Sequence, residues 1–226
     1  ALLRAALEQV EQALVAERGT VPGARCAIVG MGKLGSREMT AASDLDLILI
    51  YDYDDETPES DGARPLHAAQ YYARLTKRLV AVLTSATRRG KLYDVDLRLR
   101  PSGGQGPVAT RFTSFIDYQQ NEAETWEHMT LVRARVIAGD ATLAEAITAA
   151  QTAIIRQPTA EKTLRTDIAA MRGLIAREKG ESDPWDLKLA AGGIIDVEFI
   201  AQYLVLAHAP KHPEIIDTST IGVAVG

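Results

Sequence analysis

Two aspartates one residue apart, Asp44 and Asp46, open the apolar run Leu45–Tyr51, and the glycine-rich stretch Gly30-Met31-Gly32-Lys33-Leu34-Gly35 precedes them. Strand side chains alternate between faces. Asp44, Asp46, Ile48 and Ile50 therefore share one face, and Leu45, Leu47, Leu49 and Tyr51 share the other. Apolar residues on both faces mark a buried strand. Two carboxylates at the start of such a strand repel one another. A divalent cation relieves that repulsion, and carboxylates are the hard oxygen ligands that magnesium prefers. A glycine turn beside the cation is where the phosphates of a nucleotide would sit. These residues point to metal-dependent chemistry on a nucleoside triphosphate.

Two better-known phosphate motifs fit less well. Gly30, Gly32 and Gly35 spell G-x-G-x-x-G after a strand, with Asp52 and Asp54 at the distance a dinucleotide fingerprint asks. Only nine residues separate Gly35 from Leu45, however, and a parallel crossover needs a dozen or more. The fingerprint also leaves Asp44 and Asp46 unexplained. A Walker loop fails because Leu34 follows Lys33 where Ser or Thr is required, and Ala27 stands in place of its first glycine.

A third carboxylate comes from Lys91-Leu-Tyr-Asp-Val-Asp-Leu-Arg-Leu-Arg-Pro101. Alternation puts Leu92, Asp94, Asp96, Arg98 and Arg100 on one face, with Tyr93, Val95, Leu97 and Leu99 against the core. The polar face is either a solvated surface with internal ion pairs or a functional one. The functional reading sets Asp96 beside the Asp44–Asp46 pair and aims Arg98 or Arg100 at phosphate oxygens, which a guanidinium matches bidentately.

Met31-Gly-Lys33, ten residues, then Asp44-Leu-Asp-Leu47 resembles the polymerase-beta type of nucleotidyltransferase. Lys33 departs from the small residue usual there. More narrowly, Gly30-Met-Gly-Lys-Leu-Gly35 with Ser43-Asp-Leu-Asp-Leu47 is similar to the bacterial glutamine synthetase adenylyltransferase family, which carries Gly-Lys-Leu-Gly at this place. Val95-Asp-Leu-Arg-Leu-Arg-Pro-Ser-Gly103 looks like that family's second signature, and Asp96 fits its third metal carboxylate. Asp94 falls at a variable position. Lys188, followed by Gly192-Gly-Ile-Ile-Asp-Val-Glu-Phe199, matches a further signature, which implies that Lys188 and Glu198 line the cleft. Of the family's two catalytic halves, Tyr118–His128 with Leu131-Val-Arg-Ala-Arg135 resembles the adenylylating, C-terminal one.

The elements that must position these residues are legible in outline. The chain has 226 residues, 46% of them apolar and 5% aromatic, with a net charge of −5. That allows one large domain or two small ones, favours helices and does not indicate a general nucleic-acid binder. Cys26 lies in the apolar run Cys26–Val29 and reads as a buried small residue, so no disulfide framework is possible. There is no signal peptide and no apolar stretch of membrane-spanning length, so the cytoplasm is the expected compartment. The chain lacks an initiator Met and is expected to be part of something longer. Helical spacing marks 1–18, 64–88, 111–124, 125–138, 140–156, 159–178 and 194–208, and alternation marks strands at 26–29, 45–51 and 91–101. Residues 52–62 read as a solvated acidic loop rather than a metal cluster. Trp126 is expected to pack in the core. His128 has no second ligand at zinc spacing. Arg133 and Arg135 either reach phosphates or pair with Glu122 and Glu127.

The expected fold is therefore α+β: a small mixed-sheet nucleotidyltransferase domain over 1–110, then a helical bundle over 111–226. The resemblance implies transfer of AMP from ATP to a tyrosine hydroxyl of glutamine synthetase, with release of pyrophosphate. It implies Mg2+ or Mn2+ on Asp44, Asp46 and Asp96, which would be the catalytic carboxylates. Gly32, Lys33, Gly35, Ser43, Arg98 and Arg100 would bind the nucleotide. Glutamine synthetase would be the protein partner, and a nitrogen-signalling regulator could act through the full-length enzyme. No nucleic acid or membrane is expected. The alternatives are the adenylyl-removing, phosphorolytic half and a non-catalytic module that binds a nucleotide or a signal.

Overall fold

A computed structural model describes residues 1–41, 43–86, 90, 93–180, 183 and 185–225. It is a mixed α/β architecture with a small mixed sheet flanked by helices, as expected. The helix α1 (Leu2–Arg18) leads into β1 (Arg25–Gly30), the one-turn helix α2 (Gly32–Gly35) and β2 (Leu45–Asp52). β1 and β2 are antiparallel, pairing Arg25 with Asp52 and Gly30 with Leu47. That direction disposes of the dinucleotide reading, which requires parallel strands. After α3 (Ala68–Thr84), β3 (Val95–Asp96) runs parallel to the start of β2, and β4 (Ala109–Arg111) runs parallel to its later residues.

The side-chain alternation along β2 is realised on both faces. Leu45, Leu47, Leu49 and Tyr51 are buried with Leu7, Leu14, Leu75 and Leu79 of α1 and α3. Ile48 and Ile50 are buried on the opposite face with Phe115 of α4 (Phe112–Asn121) and with Leu143 and Ile147 of α6 (Ala141–Ile155). Burying such side chains on both faces, at about 1.5–3 kcal/mol each, makes β2 the rigid spine of the sheet. Cys26 is buried as expected, its thiol donating to Glu11 Oε1 at 3.1 Å.

Two elements and one side chain differ from expectation. The helix read over 125–138 is the short α5 (Thr125–Val132) followed by β5 (Arg135–Gly139), antiparallel to β1. Gln151 of α6 ends α5, its amide donating to Leu131 O at 2.9 Å and Ala134 O at 2.8 Å. The β-branched Val136 and Ile137 then continue as the fifth strand. The sheet thus draws β5 and its covering helix α6 from beyond residue 110. Among the described residues, the strand read over 91–101 pairs with β2 at Val95 and Asp96 alone, because the Asp96 carboxylate accepts the Arg98 amide at 2.8 Å and turns the chain. Local side-chain-to-backbone bonds of this kind compete with a ladder. Lys91 and Leu92, the turn residue Arg89 and the last helical expectations at Thr87 and Arg88 lie outside the described residues, as do Glu181, Ser182 and Pro184 of the expected 180–184 loop. Trp126 is only half-buried: its indole donates to Glu124 at 3.0 Å, and it lines a cleft of about 670 Å³ with Met171 and Leu174.

The acidic stretch behaves as a pinned loop. Asp55 pairs with Arg111 at 2.9 Å, and Asp61 accepts the Thr20 amide at 2.6 Å. The remaining helices, α7 (Glu161–Lys179), α8 (Ile194–His208) and α9 (Thr220–Val225), form a helical group that shares a core with α5 around Met129, Val132, Leu164 and Val205. No helix among the described residues is long and apolar enough to cross a membrane.

Candidate active site

The β2–β3 register sets Asp46 directly opposite Asp96. Neighbouring strands lie about 4.8 Å apart, so the two carboxylates share one local field, with Asp44 exposed at the edge. Asp46 is half-buried, and its pKa is pushed up to about 6. Burial is the main cause, the charges of Asp96 and Asp44 add to it, and Arg133 and Arg98 oppose it. Asp96 is held below the ordinary carboxylate range, chiefly by the Arg98 guanidinium. Arg98 Nε donates to Asp96 Oδ2 at 2.8 Å and its Nη2 at 2.5 Å, while most of the arginine side chain stays exposed.

The glycine turn closes onto this pair. Met31 N–H donates to Asp46 O at 2.9 Å, which ties the start of α2 to the strand. Gly32 has φ of 49°, and a Cβ there would lie 2.7 Å from Asp46 Oδ2. Glycine takes that conformation without strain and lets the Asp46 carboxylate come this close. Gly35 meets a tighter limit, since a Cβ would stand 1.8 Å from Arg133 O. Lys33 is half-buried on α2, and its carbonyl accepts the Glu38 amide at 2.9 Å. Ser43 closes the following loop, its hydroxyl accepting the Thr40 amide at 3.0 Å.

The other expected site residues divide. Arg100 is buried and does not share a strand face with Asp96. Its guanidinium donates to Leu97 O at 2.6 Å, Gly104 O at 3.3 Å and Gly106 O at 3.2 Å. The Asp96 turn reverses the chain before Arg100 can point along the strand, so Arg100 staples the 97–106 loop. Arg100→Ala should cost about 2 kcal/mol, the scale of a charged hydrogen-bond set, and should speed proteolytic cleavage in that loop. Glu198 on α8 pairs with Arg133 Nη1 at 3.0 Å, and Lys188 is exposed on the turn before α8. Neither Arg133 nor Arg135 pairs with Glu122 or Glu127 among the described residues. Arg135 donates to Gly35 O at 2.9 Å and Leu34 O at 3.2 Å, holding the end of α2. Glu127 instead accepts from Tyr118 at 2.9 Å and caps its own helix.

Sequence reasoning passed over Ser36 and Glu38. Both bind Arg133, at 2.9 Å and 2.8 Å. Their one sequence signal is their place directly after the glycine turn, and no motif marks it.

Among the described residues, no three acidic, imidazole or thiol side chains converge as a finished metal cage. The donors nonetheless suit a hard divalent cation. They are all carboxylate oxygens, and the charges of Asp96 and Asp44, which add to the burial that raises the Asp46 pKa, are repulsion that a cation would offset. A cavity of about 950 Å³ between β5 and α6 includes none of the three aspartates. The site is therefore identified by its carboxylates and its glycine turn.

Residues 1–150 match the family model described as glutamate-ammonia ligase adenylyltransferase. The chain is 62% identical over 206 residues to the bifunctional glutamine synthetase adenylyltransferase/adenylyl-removing enzyme of Xanthobacter autotrophicus, an alignment covering 91% of this chain and 21% of that protein. It is 53% identical over 214 residues to the protein of the same name from Bradyrhizobium diazoefficiens, covering 95% and 22%. The chain spans about a fifth of the length of these curated relatives. The family-model match across most of its length, with relatives more than half identical over nine-tenths of it, shows that the chain belongs to the glutamate-ammonia ligase adenylyltransferase family.

Proposed function

We propose that this chain transfers AMP from ATP to a tyrosine hydroxyl of glutamine synthetase and releases pyrophosphate. The observation that carries this reading is the Asp46–Asp96 register with Gly32 closed against the Asp46 carboxylate. Asp44, Asp46 and Asp96 would hold Mg2+ or Mn2+. Such a cation supplies charge neutralisation on the triphosphate and on the oxygens that enter and leave. Backbone N–H groups of the Gly32–Gly35 turn would receive phosphate oxygens. Lys33 and Arg98 would neutralise the leaving pyrophosphate. To act so, Arg98 exchanges Asp96 for phosphate, and its exposed side chain leaves it free to swing.

The step itself is an in-line displacement. The tyrosine oxygen forms a bond to the α-phosphorus, and the bond from that phosphorus to the pyrophosphate oxygen breaks. The phenolic proton must leave, because a tyrosine hydroxyl has an ordinary pKa of about 10. A carboxylate of the Asp44, Asp46 and Asp96 set, or the cation they would hold, would assist that loss. The run Tyr118–His128 with Leu131–Arg135 supports the adenylylating direction over the removing one.

The test is incubation of the chain with Mg2+, ATP labelled in the adenosine moiety and unmodified glutamine synthetase. Label on a glutamine synthetase tyrosine is the expected result. Release of label from adenylylated glutamine synthetase in the presence of phosphate, without forward transfer, would replace this reading by the removing one.

A further inference from the structure

Arg133 is the C-cap of α5 and is buried, yet its guanidinium reaches three residues in two separate parts of the chain. Nη2 donates to Ser36 Oγ at 2.9 Å and Glu38 Oε2 at 2.8 Å, and Nη1 pairs with Glu198 Oε1 on α8 at 3.0 Å. A Cβ built at Gly35 would stand 1.8 Å from its carbonyl oxygen, so the Arg133 backbone lies hard against the turn. The residue thus packs its backbone against the glycine turn and holds with its side chain the two residues, Ser36 and Glu38, just beyond it. Glu38 extends the connection. Its amide donates to Lys33 O, and its carboxylate accepts from Thr220 N–H at 2.9 Å and from the Ser219 and Thr220 hydroxyls at 3.3 Å each. Arg135 also holds α2 but stops there, whereas Arg133 continues to α8 and, through Glu38, to α9.

We propose that Arg133 is a positioning residue for the nucleotide turn, through which the α8–α9 segment sets the affinity for the nucleoside triphosphate. The inference rests on reading the Gly32–Gly35 turn as the triphosphate site. A guanidinium is required because its planar fork serves several acceptors in fixed directions, which one ammonium cannot do. The Ser36, Glu38 and Glu198 contacts place the turn against Asp46, and a shift of α8 or α9 moves the turn with it.

The test uses this chain with Glu198→Gln, Arg133→Lys and the double variant. MgATP binding is measured calorimetrically without protein substrate, and KM and kcat are measured in the transfer assay. Glu198→Gln keeps shape and removes one charge, so it should weaken MgATP binding about tenfold, the scale of one charge-assisted contact. Arg133→Lys should weaken it at least as much, and the double variant should be no worse than Arg133→Lys alone, since both act along one path. The loss should fall on KM more than on kcat, with the melting temperature of Glu198→Gln close to the parent's. Parental MgATP binding by Glu198→Gln and Arg133→Lys would overturn the inference while leaving the proposed function standing. Equal falls in kcat, affinity and melting temperature would reduce Arg133 to a structural contact and overturn it as well. Failure of the parent chain to bind MgATP would overturn both.

Discussion

Asp46→Asn should abolish AMP transfer and, in the same protein without divalent cation, raise the melting temperature near neutral pH. The two effects have one cause. In the fold Asp46 carries a pKa of about 6 against an ordinary 3.8, because burial and then Asp96 and Asp44 disfavour its charge. A folded pKa above the unfolded one means that the folded state holds a proton the unfolded state has released. Stability therefore falls as pH rises through the window from about 4 to 6, and the full penalty is present at pH 7.5. Two units correspond to about 3 kcal/mol. Partial exposure screens this to about 1–2 kcal/mol. Asparagine removes the charge and keeps the shape, so the variant should melt about 3–6 °C higher at pH 7.5 and level with the parent at pH 4. Transfer should fall by at least about 10²–10³-fold, the scale of losing one preorganised charge-stabilising group. Saturating Mg2+ should stabilise the parent and not the variant. Calorimetric melts at the two pH values, with and without the cation, measure the stability changes, and the labelled-ATP assay measures the transfer. A variant that melts lower and still transfers AMP would remove Asp46 from the site.

Much of this site could be read from local pattern, because β2 obeys a local rule. Side-chain alternation alone sorted Leu45, Leu47, Leu49 and Tyr51 from Ile48 and Ile50, and the two helical layers cover those two faces. The short spacing between Gly35 and Leu45 excluded a parallel crossover, and β1 and β2 are antiparallel. What local pattern did not reveal depends on contacts distant in sequence or on side chains that compete with the backbone. The apolar positions Met129, Val132 and Val136 fall at helical intervals, so nothing local announces that Gln151 ends α5 and releases Arg135–Gly139 to the sheet. Asp96 looked like one residue of a long strand, but its carboxylate turns the chain at Arg98 and takes Arg100 off the polar face. Arg133 posed the same difficulty. Its partners Glu38 and Glu198 lie on either side of it in sequence, at 95 and 65 residues' distance, beyond any spacing rule. Of the two alternatives left open by the sequence, pairing with Glu122 and Glu127 is not what the fold adopts. The residues legible as chemistry are the aspartates and the glycines, whose roles depend on strand register and turn geometry. The residues that hold the turn in place required the tertiary fold.

Gly32→Ala and Gly35→Ala, three residues apart in one turn, should fail in opposite ways. At Gly35 an added Cβ would stand 1.8 Å from Arg133 O and 2.6 Å from Gly30 O. Both are backbone atoms, one at the C-cap of α5 and one at the end of β1, and neither can rotate aside. The turn must lift off the sheet, breaking the Arg135 bonds to Gly35 O and Leu34 O. Overpacking against fixed backbone should cost about 3 kcal/mol or more, lowering the melting temperature by roughly 6–12 °C, and nucleotide binding should be lost with the structure. At Gly32 the added Cβ would meet Asp46 Oδ2 at 2.7 Å, the far end of a side chain that can turn away. The positive φ adds about 1–2 kcal/mol for a residue with a Cβ. The Gly32→Ala protein should therefore purify folded and melt only a few degrees lower. Its transfer rate should nonetheless fall about 10²-fold or more, because the Asp46 carboxylate is displaced from the position the chemistry uses. Thermal melts set beside MgATP titration and transfer rates separate the two outcomes. A Gly32→Ala protein with parental turnover would show that the closure of Gly32 on Asp46 has no part in catalysis. A Gly35→Ala protein with parental stability would show that the turn is not anchored through Arg133 O.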